Sequence, residues 1–443
     1  MRTLARSLGL TDLTLLTIGL VIGSGIYIVP ATVLRQTGGR FGLAALVWLV
    51  AGVLTVLGAL TFGELGAMKP EAGGLYVYLR DAFGPLTAFL YGWALFFLIS
   101  SGSVAALAVA FAGYLRELVD LGPGAARAVA VGMIVVIAVV NVRGTRHSAG
   151  MQNWTTGFKV AAIVGVSLFL IVRRGSAATA APAEALPQMS MGAGLGLALV
   201  GVLWAYEGWQ YASFSAGETV DPQRTFPRAI LLGTAALVAI YLLANFGYVS
   251  ALGPDRAARS ERIAAEAVSV ALGPAAGKLI ALAILVSMFS AANGLTLTAP
   301  RVYFAMARDG VFFRRLAEVH PRFGTPAVAV VASSAWAAVL AATGTFEQLL
   351  TYVVFTAWGF YALGAASLFY YRRHQPDLPR PFRVPGHPWT PLLFMLSAMG
   401  IVLSTLVSQP GRAVVGIGLV LLGAPAFWLW AGRNPPAVPV RTE

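Results

Sequence analysis

Three polar features stand where the sequence is otherwise apolar. Lys159 lies in Trp154-Thr155-Thr156-Gly157-Phe158-Lys159-Val160-Ala161-Ala162-Ile163, the one Lys or Arg well inside a long apolar stretch and one of three lysines in the chain. Glu207 lies in Gly201-Val202-Leu203-Trp204-Ala205-Tyr206-Glu207-Gly208-Trp209-Gln210, an acid and an amide among aromatics. Ser24 sits between two glycines in Thr17-Ile18-Gly19-Leu20-Val21-Ile22-Gly23-Ser24-Gly25-Ile26-Tyr27-Ile28-Val29-Pro30. An ammonium in an apolar medium needs acceptors. Lys159 therefore either snorkels to an interface along its own stem, or bridges helices toward carbonyls around Gly19 to Gly23 and a hydroxyl, Ser287 or Ser290. In the second case it is a fixed cation or a carrier of a transported proton. Glu207 has three readings: counter-ion for a cationic solute, proton carrier, and internal hydrogen-bonding partner. Covalent catalysis and metal chemistry are poorly served. There is no cysteine, and His147, His320, His374 and His387 fall near arginines between apolar runs, with no ligand cluster.

The elements that must position these groups follow from composition. Of 443 residues, 58% are apolar and 11% charged, where a soluble domain carries about 25% charge, and mean hydropathy is +0.76. The chain reads as a polytopic membrane protein. Runs long enough to cross hydrocarbon as helices fall at 11–33, 41–66, 83–115, 125–141, 152–172, 191–218, 228–252, 273–305, 327–343, 347–371, 389–408 and 412–431. Alternation of period two is missing, so these twelve spans are expected to be helices. The net charge of +13 forms short clusters between spans, which fits loop charge and excludes a nucleic-acid face. With twelve spans, 19 Lys and Arg fall on the side of both termini and 11 on the other, Lys159 lying within a span; both termini are expected in the cytoplasm of a cell (inner) membrane protein. Met1 to Leu10 lacks the features of a cleaved signal, so the first span is expected to be mature structure. The polar intervals, Asp255 to Glu266 and Arg372 to Pro388 the longest, are too short for a soluble domain, which leaves one domain over 1–443 with its function inside the bundle.

Gly23 and Gly25 lower helix propensity by about 1 kcal/mol each and permit unusual backbone angles, so span one is expected to unwind around Ser24. Span six carries a second interruption, expected over Gly201 to Gln210 around Glu207. If 11–172 and 191–371 are two inverted five-helix repeats, with 389–431 supplying two additional helices, the two breaks occupy matching positions. That pattern points to a transporter site rather than to close glycine packing alone, because freed amides and carbonyls suit a zwitterion. N–H groups of Ser24, Gly25 and Ile26 at a helix start would face a carboxylate. Carbonyls of Val21, Trp204 and Ala205 would face an ammonium. Trp204 precedes the break and is the candidate gate; Trp209, Trp358 and Tyr361 are more simply packing or belt residues. Glu64, Glu218 and Asp12 lie near span ends, where loop-facing ion pairs or helix caps are the expected roles.

These residues resemble the amino acid–polyamine–organocation superfamily, and within it the L-type amino acid transporter branch and its bacterial relatives. The likeness rests on Ile22-Gly23-Ser24-Gly25-Ile26-Tyr27, on Phe62-Gly63-Glu64-Leu65-Gly66-Ala67-Met68-Lys69-Pro70-Glu71-Ala72-Gly73-Gly74, and on Trp204-Ala205-Tyr206-Glu207-Gly208-Trp209. Further matches run from Gly217-Glu218 through Asp221-Pro222-Gln223-Arg224-Thr225-Phe226-Pro227-Arg228-Ala229, from Asn293-Gly294 through Ala307-Arg308-Asp309-Gly310, and over Pro376-Asp377-Leu378-Pro379-Arg380-Pro381-Phe382. The resemblance implies an all-α integral membrane protein of twelve transmembrane helices, with a leucine-transporter-like 5+5 inverted repeat plus two extra helices. It implies alternating access without sodium, Lys159 taking the place that sodium-coupled relatives of this architecture give to a cation. It sets the substrate carboxylate at Ser24 and Gly25, the amino group at carbonyls of Val21, Trp204 and Ala205, and the side-chain pocket beside Ser103. In relatives that carry cationic amino acids the Glu207 position can hold Asp. A heavy subunit joined by a disulfide, as in eukaryotic relatives, has no cysteine here to join.

The expected function is a sodium-independent amino acid transporter, an exchanger or proton-coupled carrier, with cationic or polar amino acids favoured by Glu207. A carrier of neutral amino acids, alanine-like or leucine-like, is the alternative. A membrane-embedded enzyme or an amino acid sensor is the remote one: Lys159 and Glu207 make a thin catalytic set, no signalling domain is present, and neither cofactor nor metal is expected.

Overall fold

The computed structural model describes residues 6–116, 118–173, 190–344, 346–408 and 410–431. Helices account for almost all of them, and the one β-bridge among the described residues joins Leu8 to Thr219. This is the expected outcome for a backbone in lipid, which must satisfy its own polar groups. The first run is broken into α1 (Leu10–Val21) and α2 (Gly25–Gln36), bent by 48°. There follow α3 (Phe41–Met68), the short α4 (Leu75–Phe83), α5 (Pro85–Leu115), α6 (Pro123–Val142), α7 (Thr145–Arg173) and α8 (Met191–Ala205). A 3₁₀ helix, Trp209–Glu218, continues α8, and α9 (Pro222–Leu252) comes next. Two short helices, α10 (Pro254–Arg259) and α11 (Ile263–Leu272), precede α12 (Pro274–Thr298) and its continuation α13 (Pro300–Arg308). The remainder is α14 (Ala327–Thr343), α15 (Phe346–His374), α16 (Trp389–Ser408), α17 (Pro410–Leu421) and α18 (Gly423–Ala431). Among the described residues, nine helices are long and apolar enough to cross a membrane, ten with the bent pair. The chain is a multi-pass membrane protein.

Close packing explains much of the glycine content. A Cβ at Gly66 of α3 would lie 2.3 Å from the Phe226 ring of α9, one at Gly52 2.8 Å from Val238, and one at Gly233 2.8 Å from Thr17 of α1. α9 also lies along α7, α12 against α5 and α7, and α15 against α5 and α16. Small residues let backbones approach where dispersion, rather than water exclusion, drives association. Within α5 a π-helical turn, Leu95–Ile99, widens the helix just before Ser103, whose Oγ donates back to Ile99 O at 2.7 Å. Such bulges re-aim the next turn.

Several boundaries differ from the sequence reading. The polar interval Asp255 to Glu266 is largely helical, in α10 and the start of α11, because Pro254 opens one short helix and the apolar 263–272 forms another. The last run is two helices meeting at Leu422, and α9 starts six residues before the apolar run, at a proline in its first turn. His147 and His374 fall inside helix ends rather than loops.

Of the acids near span ends, Asp12 is a helix cap as expected, whereas Glu64 and Glu218 form ion pairs in which the carboxylate is buried rather than loop-facing. Asp12 caps α1, accepting from Gly9 N at 2.8 Å, and also accepts from Asn153 Nδ2 at 2.5 Å. Glu64 is fully buried, takes both arms of Arg372 at 3.0 and 2.6 Å, and accepts from Val384 N at 2.6 Å. Glu218 and Arg301, each 1% exposed, pair at 2.7 Å. Removing one member of a buried pair strands the other charge, whereas removing both does not. Arg301→Met should therefore lower stability by about 3–5 kcal/mol, and Glu218→Gln in addition should recover part of it; thermal unfolding of the detergent-purified protein is the measurement.

Candidate functional site

The site is built where two helices stop. α1 ends at Val21 and the chain turns at Ile22 (φ −72°, ψ 86°), Gly23 N donating to Val21 O at 2.8 Å. α2 then restarts at Gly25. Among the described residues the N–H groups of Ser24, Gly25 and Ile26 have no backbone acceptor, as the first turn of a helix requires. The carbonyls freed on the other side of the break are taken by side chains. Lys159 Nζ donates to Gly19 O and Ile22 O, both at 2.7 Å, and Ser287 Oγ donates to Ile22 O at 2.9 Å and Gly23 O at 3.2 Å. Lys159 is fully buried, so it bridges helices and does not snorkel. Ser287 reaches the same Ile22 carbonyl, while Ser290 pairs instead with Thr155 of α7 at 2.9 Å.

The second break is shorter than the sequence suggests. Gly201 is helical, α8 runs to Ala205, and the chain departs from α geometry at Tyr206, Glu207 and Gly208 before the 3₁₀ segment. Gly208 has φ +125°, and a Cβ on it would lie 2.9 Å from Leu20 O. Conversely, a Cβ on Gly25 lies 3.0 Å from the Cβ of Ala205. Each break is thus packed on the other through a glycine. Tyr241 of α9 ties them further, its hydroxyl lying 3.2 Å from both Val21 O and Ala205 O. Trp204 O accepts from Glu207 N at 3.0 Å.

Between the breaks lies a cavity of about 80 Å³, lined by Val21, Gly23, Ser24, Gly25, Ser103, Trp204, Ala205 and Glu207, with Leu20, Ala106, Leu107, Gly208, Tyr211, Ala291, Leu295 and Val353. That is room for several waters, or a small solute. Ile22 and Ile26 do not line it: Ile22 turns its carbonyl to Lys159 and Ser287, and Ile26 is fully buried. Glu207 borders the cavity and accepts from the Tyr361 hydroxyl at 2.9 Å, which in turn accepts from Gln210 Nε2. Trp204 is half-buried at the wall. Trp209 instead packs on Phe62 and Phe394, and Trp358 on Phe394 and Tyr361, as packing residues do. Tyr241, Tyr211 and the apolar wall from α5, α12 and α15 escaped the sequence reading, which placed Gly208 in the interruption but not in the wall. Gly208, next to Glu207 in the interrupted segment, carried a signal; Tyr241 in an apolar run carried none. Among the described residues no group of His, Asp and Glu could hold a metal.

The amino acid permease family model matches residues 8–424. The chain belongs to the amino acid permease family. It is 30% identical to the serine/threonine exchanger SteT of Bacillus subtilis over 428 residues, 96% of this chain and 97% of that protein. It is 31% identical to the human b(0,+)-type amino acid transporter 1 over 432 residues, 96% of this chain and 88% of the relative. It is 30% identical to the mouse large neutral amino acids transporter small subunit 2 over 443 residues, 96% and 81% of the two. Within this family member, Gly208 is the residue on which the two breaks close. Gly208→Ala forces a Cβ against the Leu20 carbonyl at a strained φ, a cost of about 1–3 kcal/mol. Substrate-induced thermal stabilisation should be lost in this variant, with a smaller loss for Gly201→Ala, where a Cβ meets only Val29 Cγ1 at 3.8 Å.

Proposed function

We propose that the chain is a sodium-independent amino acid transporter working by alternating access, as an exchanger or proton-coupled carrier in the cell (inner) membrane with both termini cytoplasmic. The observation that carries this reading is the cavity bounded by two helix breaks that press on each other. One has N–H groups at Ser24 and Gly25 without a backbone acceptor among the described residues, and the other brings Trp204 and Ala205 into the same wall, their carbonyls already touched by Glu207 N and the Tyr241 hydroxyl. A carboxylate is favoured at the start of α2 by the helix dipole and by direct donors. An ammonium fits the carbonyls of Val21, Trp204 and Ala205, the first and last of which the Tyr241 hydroxyl occupies here. Ser103 and the wall from α5, α12 and α15 would meet the side chain, and Trp204 would gate it. Lys159 supplies positive charge to the carbonyls of the first break, so a sodium ion has no role to fill there. In this reading α14 and α15 also span the membrane. They complete twelve spans, 11–172 and 191–371 being inverted repeats and 389–431 two additional helices. The relatives named above are transporters and exchangers by name, which supports transport over catalysis.

Glu207 at the wall favours cationic or polar amino acids. A neutral substrate is the second reading, favoured because the Tyr361 hydroxyl already hydrogen-bonds that carboxylate and because Ala106, Leu107, Ala291, Leu295 and Val353 make much of the wall apolar. A covalent heavy subunit is excluded for these residues, which hold no cysteine.

The test is uptake of labelled arginine, serine, alanine and leucine into liposomes containing the purified protein, with internal amino acid, sodium and pH varied independently. Uptake should persist when choline replaces sodium and should rise with internal amino acid or with an inward proton gradient. A strict sodium requirement would overturn the role given to Lys159. Glu207→Gln should lose arginine uptake while retaining leucine uptake under the cationic reading, and retain its substrate profile under the neutral one.

A further inference from the structure

Next to the Lys159 contact lies a chain of buried polar side chains that the proposed substrate site does not use. Asn293 of α12 is its hub and is fully buried. Its Oδ1 accepts from Asn141 Nδ2 of α6 at 2.9 Å and lies 3.2 Å from Ser148 Oγ of α7. Its Nδ2 donates to Gln152 Oε1 of α7 at 2.9 Å and reaches Ser148 O at 3.5 Å. Ser148 Oγ donates to Asn141 Oδ1 at 2.8 Å. Gln152 Nε2 then faces Thr156 Oγ1 at 3.5 Å. One amide side chain therefore has both its acceptor and its donor ends engaged, across three helices, at a depth where an unmet polar group is costly.

The chain ends beneath the first break. Gln152, Thr156 and Lys159 share one face of α7 by their spacing of four and three, and that face lies against Gly19. A Cβ on Gly19 would fall 2.2 Å from Gln152 Nε2 and 2.3 Å from Thr156 Oγ1. Gly19 is also the residue whose carbonyl receives Lys159. The donor direction is fixed along the whole chain. Because Asn293 gives its N–H to Gln152 Oε1, Gln152 must turn its own amide nitrogen to Thr156 and the underside of Gly19.

We infer that Asn293 is a positioning residue: its amide sets α6, α7 and α12 in one register and orients Gln152 beneath Gly19, so that the Gly19 carbonyl is in place for Lys159. The packing of α7 and α12 would survive an apolar isostere; the donor direction would not.

Asn293→Asp separates these roles. Ionised, Asp has no donor for Gln152 Oε1 and leaves a charge among acceptors. Protonated, its hydroxyl donates to Gln152 and its carbonyl accepts from Asn141, reproducing Asn. The charged or histidine side chains on the elements around the hub are Lys159, Arg146, His147 and Arg173 of α7, Arg127 of α6 and Arg143 after it, Lys278 of α12, and Asp12 of α1, so every measurement is taken relative to wild type at the same pH. Uptake of labelled amino acids by Asn293→Asp in liposomes should be about tenfold below wild type near pH 7.5 and return to within about threefold near pH 4, around which an aspartate ordinarily takes up its proton. Asn293→Leu should stay low at both. The melting temperature of detergent-purified Asn293→Asp, relative to wild type, should likewise rise on acidification. This second readout stands even if the wild type carries none of the amino acids offered, an outcome that would count against the proposed transport and not against the hub. If Asn293→Leu cannot be purified, the two pH profiles of Asn293→Asp decide. A ratio to wild type that is flat with pH in both readouts, or wild-type uptake by Asn293→Leu, would overturn the inference.

Discussion

Unwinding a helix inside a membrane leaves carbonyls with no water to receive them, and the fold depends on how those carbonyls are met. An unsatisfied group there costs several kcal/mol. At the first break the donors are an ammonium and a hydroxyl, Lys159 on Gly19 O and Ile22 O, Ser287 on Ile22 O and Gly23 O. The exchange is mutual. A buried ammonium is itself tolerable only with charge-assisted acceptors, and the break supplies two at 2.7 Å. Neither the broken helix nor the buried lysine would be stable without the other. The pairing fixes where α7 and α12 stand relative to span one, and under the proposed function the N–H groups beyond the break would receive a solute.

The two breaks are held to each other by a different kind of contact. Gly25 rests on Ala205, Gly208 rests on Leu20, and the Tyr241 hydroxyl lies against a carbonyl from each side. Close backbone approach of this sort leaves no slack. A shift of one break must be answered by the other, or the contact opens. Tyr241 is itself wedged against Trp48 and Tyr206, with ring centroids 5.5 and 5.0 Å away. Under the proposed function, a solute ammonium arriving at Val21 and Ala205 would compete with that phenol for its acceptors and so would couple occupancy of the cavity to the position of α9.

How much of this was legible in the sequence follows from what kind of signal each feature leaves. Hydropathy places helices well because the membrane enforces a minimum length, and it placed the broken first span because Gly23-Ser24-Gly25 is a backbone signal. The buried lysine was visible because charge inside an apolar run is rare. The identity of its partners was only half visible: carbonyls have no sequence signature, and the choice between Ser287 and Ser290 depends on how α12 is rotated about its axis. The same limit hid Tyr241 and Asn293, polar residues in runs whose periodicity is masked because both faces of these helices are apolar. Gly201 was read as part of the second break, yet it is helical. A single glycine costs about 1 kcal/mol in a helix interior, less than the tertiary packing of α8 returns. The 3₁₀ winding of Trp209–Glu218 was out of reach, since it reflects the local fit of that segment against α1, α3 and α9.

The strength of contacts along the molecule also indicates which parts can move. At the end carrying Leu8 and Glu218, Arg80 pairs with Asp309 and Asp81, and Lys69 with Asp81, by side chains that are 17–30% exposed. Pairs of that exposure are worth little each, so separating them costs little. The Glu218–Arg301 pair is different, being almost wholly buried, and Glu218 O also accepts from Ser7 N and Leu8 N. Moving this end apart therefore cannot proceed one contact at a time. The segment before α1 is hydrogen-bonded to the end of the 3₁₀ segment, and that segment is ion-paired to Arg301. A 3₁₀ helix has poorer hydrogen-bond geometry than an α-helix, so Trp209–Glu218 is the element able to rewind at modest cost while keeping Glu218 on its partner. Under the proposed alternating access, motion would be directed into the half of span six that begins at Gly208, the same residue that seats the second break on Leu20.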